Sequence, residues 1–105
     1  RRIIKKFRKG RIMREELFKQ ITNEMFELWK RKNTDYGSSV TDTYKDFGIV
    51  SFLVRMQDKM NRLKTITKKE ALVKDEKIED TLIDLANYSI LALIELKMEE
   101  KENGN

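Results

Sequence analysis

Leu17, Ile21, Met25 and Leu28 recur at steps of four and three, and Phe18 and Trp29 widen the stripe they make. Residues so spaced share one face of a helix. A first core-facing helix is therefore expected over about residues 12–32. "KNTDYGSS" (32–39) then breaks the pattern with Asn, Asp, Gly and Ser. That is turn chemistry, with Gly37 free to take a positive φ. The periodicity resumes after "YKDFGIVSF" (44–52), where Ile49, Phe52, Leu53, Met56, Met60 and Leu63 mark the apolar side of a second helix over about 47–66. "TKKEALVKDE" (67–76) links onward, with Asp75 as an N-cap, to a third helix over about 76–99. The last residues, 101–105, are expected to fray.

In the last helix the pattern changes character. Glu76, Asp80, Asp84 and Asn87 project within a sector of about 80°, and Leu91 and Ile94 prolong the same line. Residues 88–96, "YSILALIEL", are apolar nearly all round. Such a segment is expected to be enclosed by neighbours, and three helices are too few to enclose it. A homodimer or higher homo-oligomer follows as an expectation.

Composition narrows the fold and the chemistry. Proline is absent, glycine occurs four times, and charged residues make up 39% of a 105-residue chain. This suits one small all-α domain over about 13–100. Cysteine and histidine are both absent, which excludes disulfides, thiolate or imidazole metal sites and imidazole bases. A bound metal would need oxygen ligands, as magnesium, manganese or calcium accepts. No apolar run is long enough to span a membrane, so a soluble protein is expected, and the absence of cysteine is compatible with a cytoplasmic one.

The net charge of +5 is concentrated at the amino terminus, where residues 1–12, "RRIIKKFRKGRI", hold seven basic side chains and no acid. This arm suits nucleic acid or an anionic lipid surface, with Ile3, Ile4 and Phe7 as an apolar flank, or is a solvated, unstructured terminus. "KGRIM" (9–13) is also what a purine-rich ribosome-binding site ahead of an initiator Met13 would encode. On that reading residues 1–12 are a mis-assigned extension.

Three groups carry candidate chemistry. Carboxylates at Glu76, Asp80 and Asp84 in one cleft would repel unless a cation neutralised them, or else they simply favour the helix start from solvent. Glu24, in the pattern Glu24-x-x-Glu27, borders the stripe of the first helix and can join the same cleft. Arg55, Asp58 and Arg62 share a face of the second helix, as a phosphate chain bridged to a metal would require. A surface ladder of ion pairs would look the same.

The strings "RKNTDYGSS", "FGIVSFLVRMQDKMNRLKTI" and "VKDEKIEDTLIDLANYSILALIEL", in that order, resemble the nucleotide-modification-associated domain of phages and prophages, the first of the several domains so labelled. The resemblance covers roughly residues 14–97. It implies action on the nucleotide pool or on modified bases. The arrangement is also similar to the all-α nucleoside triphosphate pyrophosphohydrolases of the MazG and dimeric dUTPase group. That similarity implies magnesium or manganese held by Glu76, Asp80 and Asp58, with Asp84 or Glu24 completing the shell or orienting water. Arg55, Lys59 and Arg62 would hold phosphates, Asn87 would face the nucleotide, and the product would be a monophosphate and pyrophosphate. "KNTDYGSS" would supply Lys32 for phosphate, Asp35 for a ribose or base, Tyr36 for stacking and Gly37 for close approach, or would be a turn capping the first helix. One departure stands out: where those enzymes carry several glutamates, this chain has "MQDKMNRL", with Lys59 and Arg62 among the expected acids. Non-catalytic nucleotide sequestration is thus an alternative to hydrolysis, and a helical anti-defence module binding protein or nucleic acid through its arm is another.

Overall fold

The structure, a computed structural model, describes the backbone of residues 2–36, 39–68 and 74–104 and the side chains of 5–6, 8–32, 39–68 and 78–104. The described residues form four helices: α1 (Arg2–Tyr36), α2 (Ser39–Phe47), α3 (Val50–Lys68) and α4 (Lys74–Asn103). They contain no strand, so the all-α class holds. The chain divides into two compact units, 1–37 and 38–105.

α1 is the first unit's helix and corrects two expectations. The basic arm is helical from Arg2 rather than unstructured, and the helix continues through Asn33, Thr34, Asp35 and Tyr36 instead of turning at Lys32. Propagation explains the second difference. Each added residue of an existing helix gains a hydrogen bond, and Asn, Thr or Asp costs at most about 0.7 kcal/mol against alanine. Met25, Leu28 and Trp29 on the expected stripe are half-buried, while Leu17, Phe18 and Ile21 are exposed. Phe26 stacks on Trp29 with centroids 6.2 Å apart, and Lys30 lies over the Phe26 ring.

The second unit is built on an antiparallel pair, α3 and α4, with α2 folded against them. α2 is the helix the periodicity missed: nine residues, "SVTDTYKDF", give too few repeats to be told from a loop. It ends at Gly48, whose φ of 69° lets its N–H reach the Tyr44 carbonyl at 2.7 Å. That left-handed glycine closes one helix and opens the next. The Gly48 carbonyl accepts bonds from the Ser51 amide at 3.1 Å and the Ser51 hydroxyl at 2.8 Å. α3 thus begins at Val50 rather than at 47.

Phe52, Tyr44 and Ala92 form the buried core, with Met56, Tyr88 and Leu91 packed around them. Thr41 donates to Glu95 at 2.7 Å, tying α2 to α4. The buried line of α4 passes through Thr81 and Ala92, adjacent to the expected acid line rather than along it. Asp80 is consequently exposed, Asp84 and Asn87 are half-buried, and Ile94 is exposed. Among the described residues of this unit, 88–96 are not enclosed on all sides. α4 meets its neighbours along one side, and Ile90, Leu93 and Leu96 remain exposed. No described helix is long and apolar enough to cross a membrane.

Candidate functional site

On α3, Phe52, Met56, Leu63 and Ile66 follow the helical repeat that faces α4, and Lys59 occupies the middle of that same line. An ammonium among apolar neighbours needs an opposite charge. Asp84 supplies it: Lys59 Nζ lies 3.0 Å from Asp84 Oδ2. One turn earlier on α3, the Arg55 guanidinium stands 5.9 Å from the centre of the Tyr88 ring, one turn later on α4. The pairings step in opposite directions, as two antiparallel helices require.

A cavity of about 350 Å³ opens where these pairs meet, lined by Arg55, Asp58, Lys59, Arg62 and Tyr88. Four of the five come from α3 at positions i, i+3, i+4 and i+7, so one helix face presents them together. Arg55, Asp58 and Arg62 are exposed, whereas Lys59 and Tyr88 are half-buried. The floor is therefore an aromatic ring and an aliphatic lysine stem, and the rim is charged. A second, smaller cavity of about 40 Å³ shares Arg55 and Tyr88 and is bounded also by Ser39, Thr43 and Ser51.

The lining carries three cations and one carboxylate. The guanidinium groups of Arg55 and Arg62 offer planar sets of donors suited to phosphate oxygens, and the Tyr88 face offers a surface for a ring. Its size falls at the lower end of small-molecule sites.

The structure brings together Arg55, Asp58, Lys59 and Arg62, all anticipated from sequence, and sets Asp84 beside them through Lys59. In the sequence Tyr88 stands out only as part of an apolar run. Its position four residues after Asp84 on a helix was the available signal. Asn87 is half-buried on α4 and does not line the cavity. Asp80 is exposed away from it. Glu24 and Lys32 lie exposed on α1, where Glu24 accepts a hydrogen bond from Gln20 at 3.3 Å. Asp35 and Tyr36 are helical, not loop, residues, and their side chains lie outside the described residues, as do Gly37 and the side chains of Asp75 and Glu76.

Oxygen ligands for a divalent ion do not converge among the described residues, where no group of three acids could hold one. Asp58 stands among cations, and Asp84 is already paired. This donor set fits an anion better than a metal.

Tyr44 adds a polar feature at the far side of the core. Its pKa is raised above 10.0 by burial first, then by Glu99 as an acceptor for its hydroxyl and by the negative charges of Glu99 and Glu95. It therefore stays protonated and joins α2 to α4 next to the Thr41–Glu95 bond.

The chain matches no curated protein and no solved structure. Residues 32–96, which include every lining residue of the cavity, match the family described as nucleotide modification associated domain 1. The chain belongs to that family.

Proposed function

We infer that this protein binds a phosphorylated nucleoside at the cavity between α3 and α4. The observation that carries the reading is the convergence of Arg55, Lys59 and Arg62 on a pocket floored by Tyr88, within the segment that defines a nucleotide-associated family. Arg55 and Arg62 hold the phosphates, and Lys59, steadied by Asp84, contributes charge from below. Tyr88 lies against the base or sugar. A net positive pocket also draws an anionic ligand in from solution.

Pyrophosphohydrolysis is the second reading, favoured by the Asp58 carboxylate at the same rim and Asp84 one contact behind it. Magnesium or manganese would then need Asp58 together with Glu76 and Asp80. The Glu76 side chain lies outside the described residues and Asp80 does not line the cavity, so no hydrolytic step is assigned to them. The inference extends to self-association, because Ile90, Leu93 and Leu96 leave one side of α4 apolar and exposed. A strictly monomeric mass by sedimentation at micromolar concentration would remove that part.

The deciding experiment is titration of the protein with nucleoside and deoxynucleoside mono-, di- and triphosphates, with and without magnesium or manganese, by calorimetry and by chromatography of the products. Binding without turnover, lost in Arg55→Ala/Arg62→Ala, supports the first reading. Monophosphate and pyrophosphate appearing supports the second. Absence of both responses across the panel overturns both.

A further inference from the structure

The smaller cavity adjoins the larger one through Arg55 and Tyr88, and phosphate binding makes no use of it. Its remaining walls are Ser39, Val40 and Thr43 of α2 and Ser51 and Phe52 of α3. It offers about 40 Å³. One water needs about 10–15 Å³ of such space. A substituent of a few heavy atoms therefore fits, and a nucleobase ring does not.

The hydroxyl groups of the wall decide which substituent. Thr43 donates to the Ser39 carbonyl at 2.9 Å, and Ser51 donates to the Gly48 carbonyl at 2.8 Å. A hydroxyl has one proton, and a carbonyl can only accept. Both protons are thus spent on the backbone, and what each oxygen has left to offer is lone pairs. A ligand carbonyl here would set lone pairs against lone pairs, whereas an N–H or O–H would be satisfied. Negative charge is disfavoured for the same reason. The first-turn amides of α3 are also occupied: Ser51 N–H bonds to the Gly48 carbonyl at 3.1 Å, and those of Phe52 and Leu53 bond to the Ile49 carbonyl at 3.0 and 3.2 Å. This end of α3 is therefore not the open helix terminus that holds an anion.

One face of α3 also sets the direction of the ligand. Ser51, Arg55 and Lys59 follow at steps of four, with Arg62 three residues on. The face passes from a hydroxyl to three cations, and Arg55 is the one charged residue among the described walls of the smaller cavity. Phosphates belong toward Arg62 and the uncharged end of the ligand toward Ser51. Tyr88, common to both cavities, lies between.

We propose that the smaller cavity is the specificity subsite of the nucleotide site. It takes a small hydrogen-bond donor, either an exocyclic amino group of the base or a hydroxyl of the sugar, and Thr43 and Ser51 accept from it. This rests on the nucleotide reading above and names the kind of nucleotide the site selects.

The test is calorimetric titration of the full chain with matched ligands. CTP and UTP exchange an amino group for a carbonyl, and ATP and ITP do the same on a purine. CTP, 2′-deoxy-CTP and 2′,3′-dideoxy-CTP remove the sugar hydroxyls in turn. An unpaired buried acceptor makes the expected preference for the donor-bearing member about tenfold or more. CTP over UTP, or ATP over ITP, assigns the donor to the base, and a loss along the deoxy series assigns it to the sugar. Thr43→Val/Ser51→Ala, its fold checked by circular dichroism, is expected to bring that ratio to within about twofold, a change that loss of stability alone would not produce. Tight binding with equal affinity within every set overturns this proposal and leaves the cavity reading standing. A preference for UTP and ITP, or a preference that survives in the double variant, overturns it as well. If no nucleotide binds, the cavity reading itself fails and this proposal falls with it. The comparison of ligands on the unaltered protein decides the matter even where the variant does not fold.

Discussion

Lys59 Nζ and Asp84 Oδ2 stand 3.0 Å apart where an otherwise apolar line of α3 meets α4. The pair is partly solvated, with side chains 26% and 42% exposed. It should add no more than about 1 kcal/mol to stability. Its larger effect is on the cavity, because Asp84 cancels one of three cations. Asp84→Asn is therefore expected to tighten the binding of a nucleotide or of inorganic polyphosphate several-fold and to leave the melting temperature nearly unchanged. Calorimetry beside thermal denaturation checks both. If Asp84 instead serves a metal, the same change weakens magnesium-dependent binding, so the direction separates the two roles.

Arg55 serves two purposes, lining the cavity and lying over Tyr88. A hydrogen bond from a charged donor contributes about 1.5–3 kcal/mol. Arg55→Ala should accordingly lower nucleotide affinity by roughly 10- to 100-fold. Arg55→Lys is expected to recover only part of that, since an ammonium lacks the planar fork. Tyr88→Phe should bind almost normally and Tyr88→Ala poorly if the ring face is what the ligand meets. Equal losses in the two Tyr88 variants would assign the role to the hydroxyl.

The sequence made the α3 half of this site legible and the α4 half only partly so. Arg55, Asp58 and Arg62 could be placed together because one helix face needs no tertiary information. The facing residues depend on the rotation of α4 about its own axis. The acid line and the line through Thr81 and Ala92 differ by about one residue, or 100°, and an apolar run such as 88–96 does not say which side meets α3. Packing of Ala92 against Phe52 settles that rotation. It turns Asp80 to solvent and brings Tyr88 to the cavity. Lys59 was legible as a cation but not as a half-buried one, because its partner is 25 residues away. Residues 33–36 of the expected turn at 32–39 are helical for the opposite reason: local propensity is weaker than the propagation of a helix already formed.

Phe52, 2% exposed, is the most buried large side chain in the described core. It touches the α2 contribution, Tyr44, with ring centroids 5.9 Å apart, and shares a cluster with Ala92 of α4. Phe52→Ala removes a ring at the meeting point of all three helices. The expected cost is about 3–5 kcal/mol, a large part of the stability of so small a unit. Urea denaturation followed by circular dichroism should show a much lower midpoint or no cooperative transition, whereas Phe52→Leu should retain one.

Gly48 is held at a φ of 69°, and a Cβ built there meets nothing within 4 Å. The penalty of Gly48→Ala is therefore a backbone penalty alone, about 1–2 kcal/mol. Gly48→Asn should cost less, because asparagine tolerates the left-handed region better. Chemical denaturation of the two variants is expected to rank alanine below asparagine. Equal stability would mean that the α2–α3 junction relaxes to another conformation.

Tyr44 gives the stability a dependence on alkaline pH. Its phenol is held above the ordinary 10.0 by burial, by the hydrogen bond to Glu99 and by the carboxylates of Glu99 and Glu95. The unfolded chain thus loses this proton first as pH rises, and the folded state holds more protons in the interval between the two pKa values. Stability must fall with pH across that interval. The contribution is intact below about pH 10 and is lost as pH climbs through the raised folded-state value. Tyr44→Phe removes the titrating group, so its denaturation midpoint should lose this component of the decline above pH 10. At neutral pH the same variant should be somewhat less stable, since Glu99 loses its donor. Denaturation series at pH 8 to 11 on both proteins measure the difference, and parallel declines would show that Tyr44 is not the group responsible.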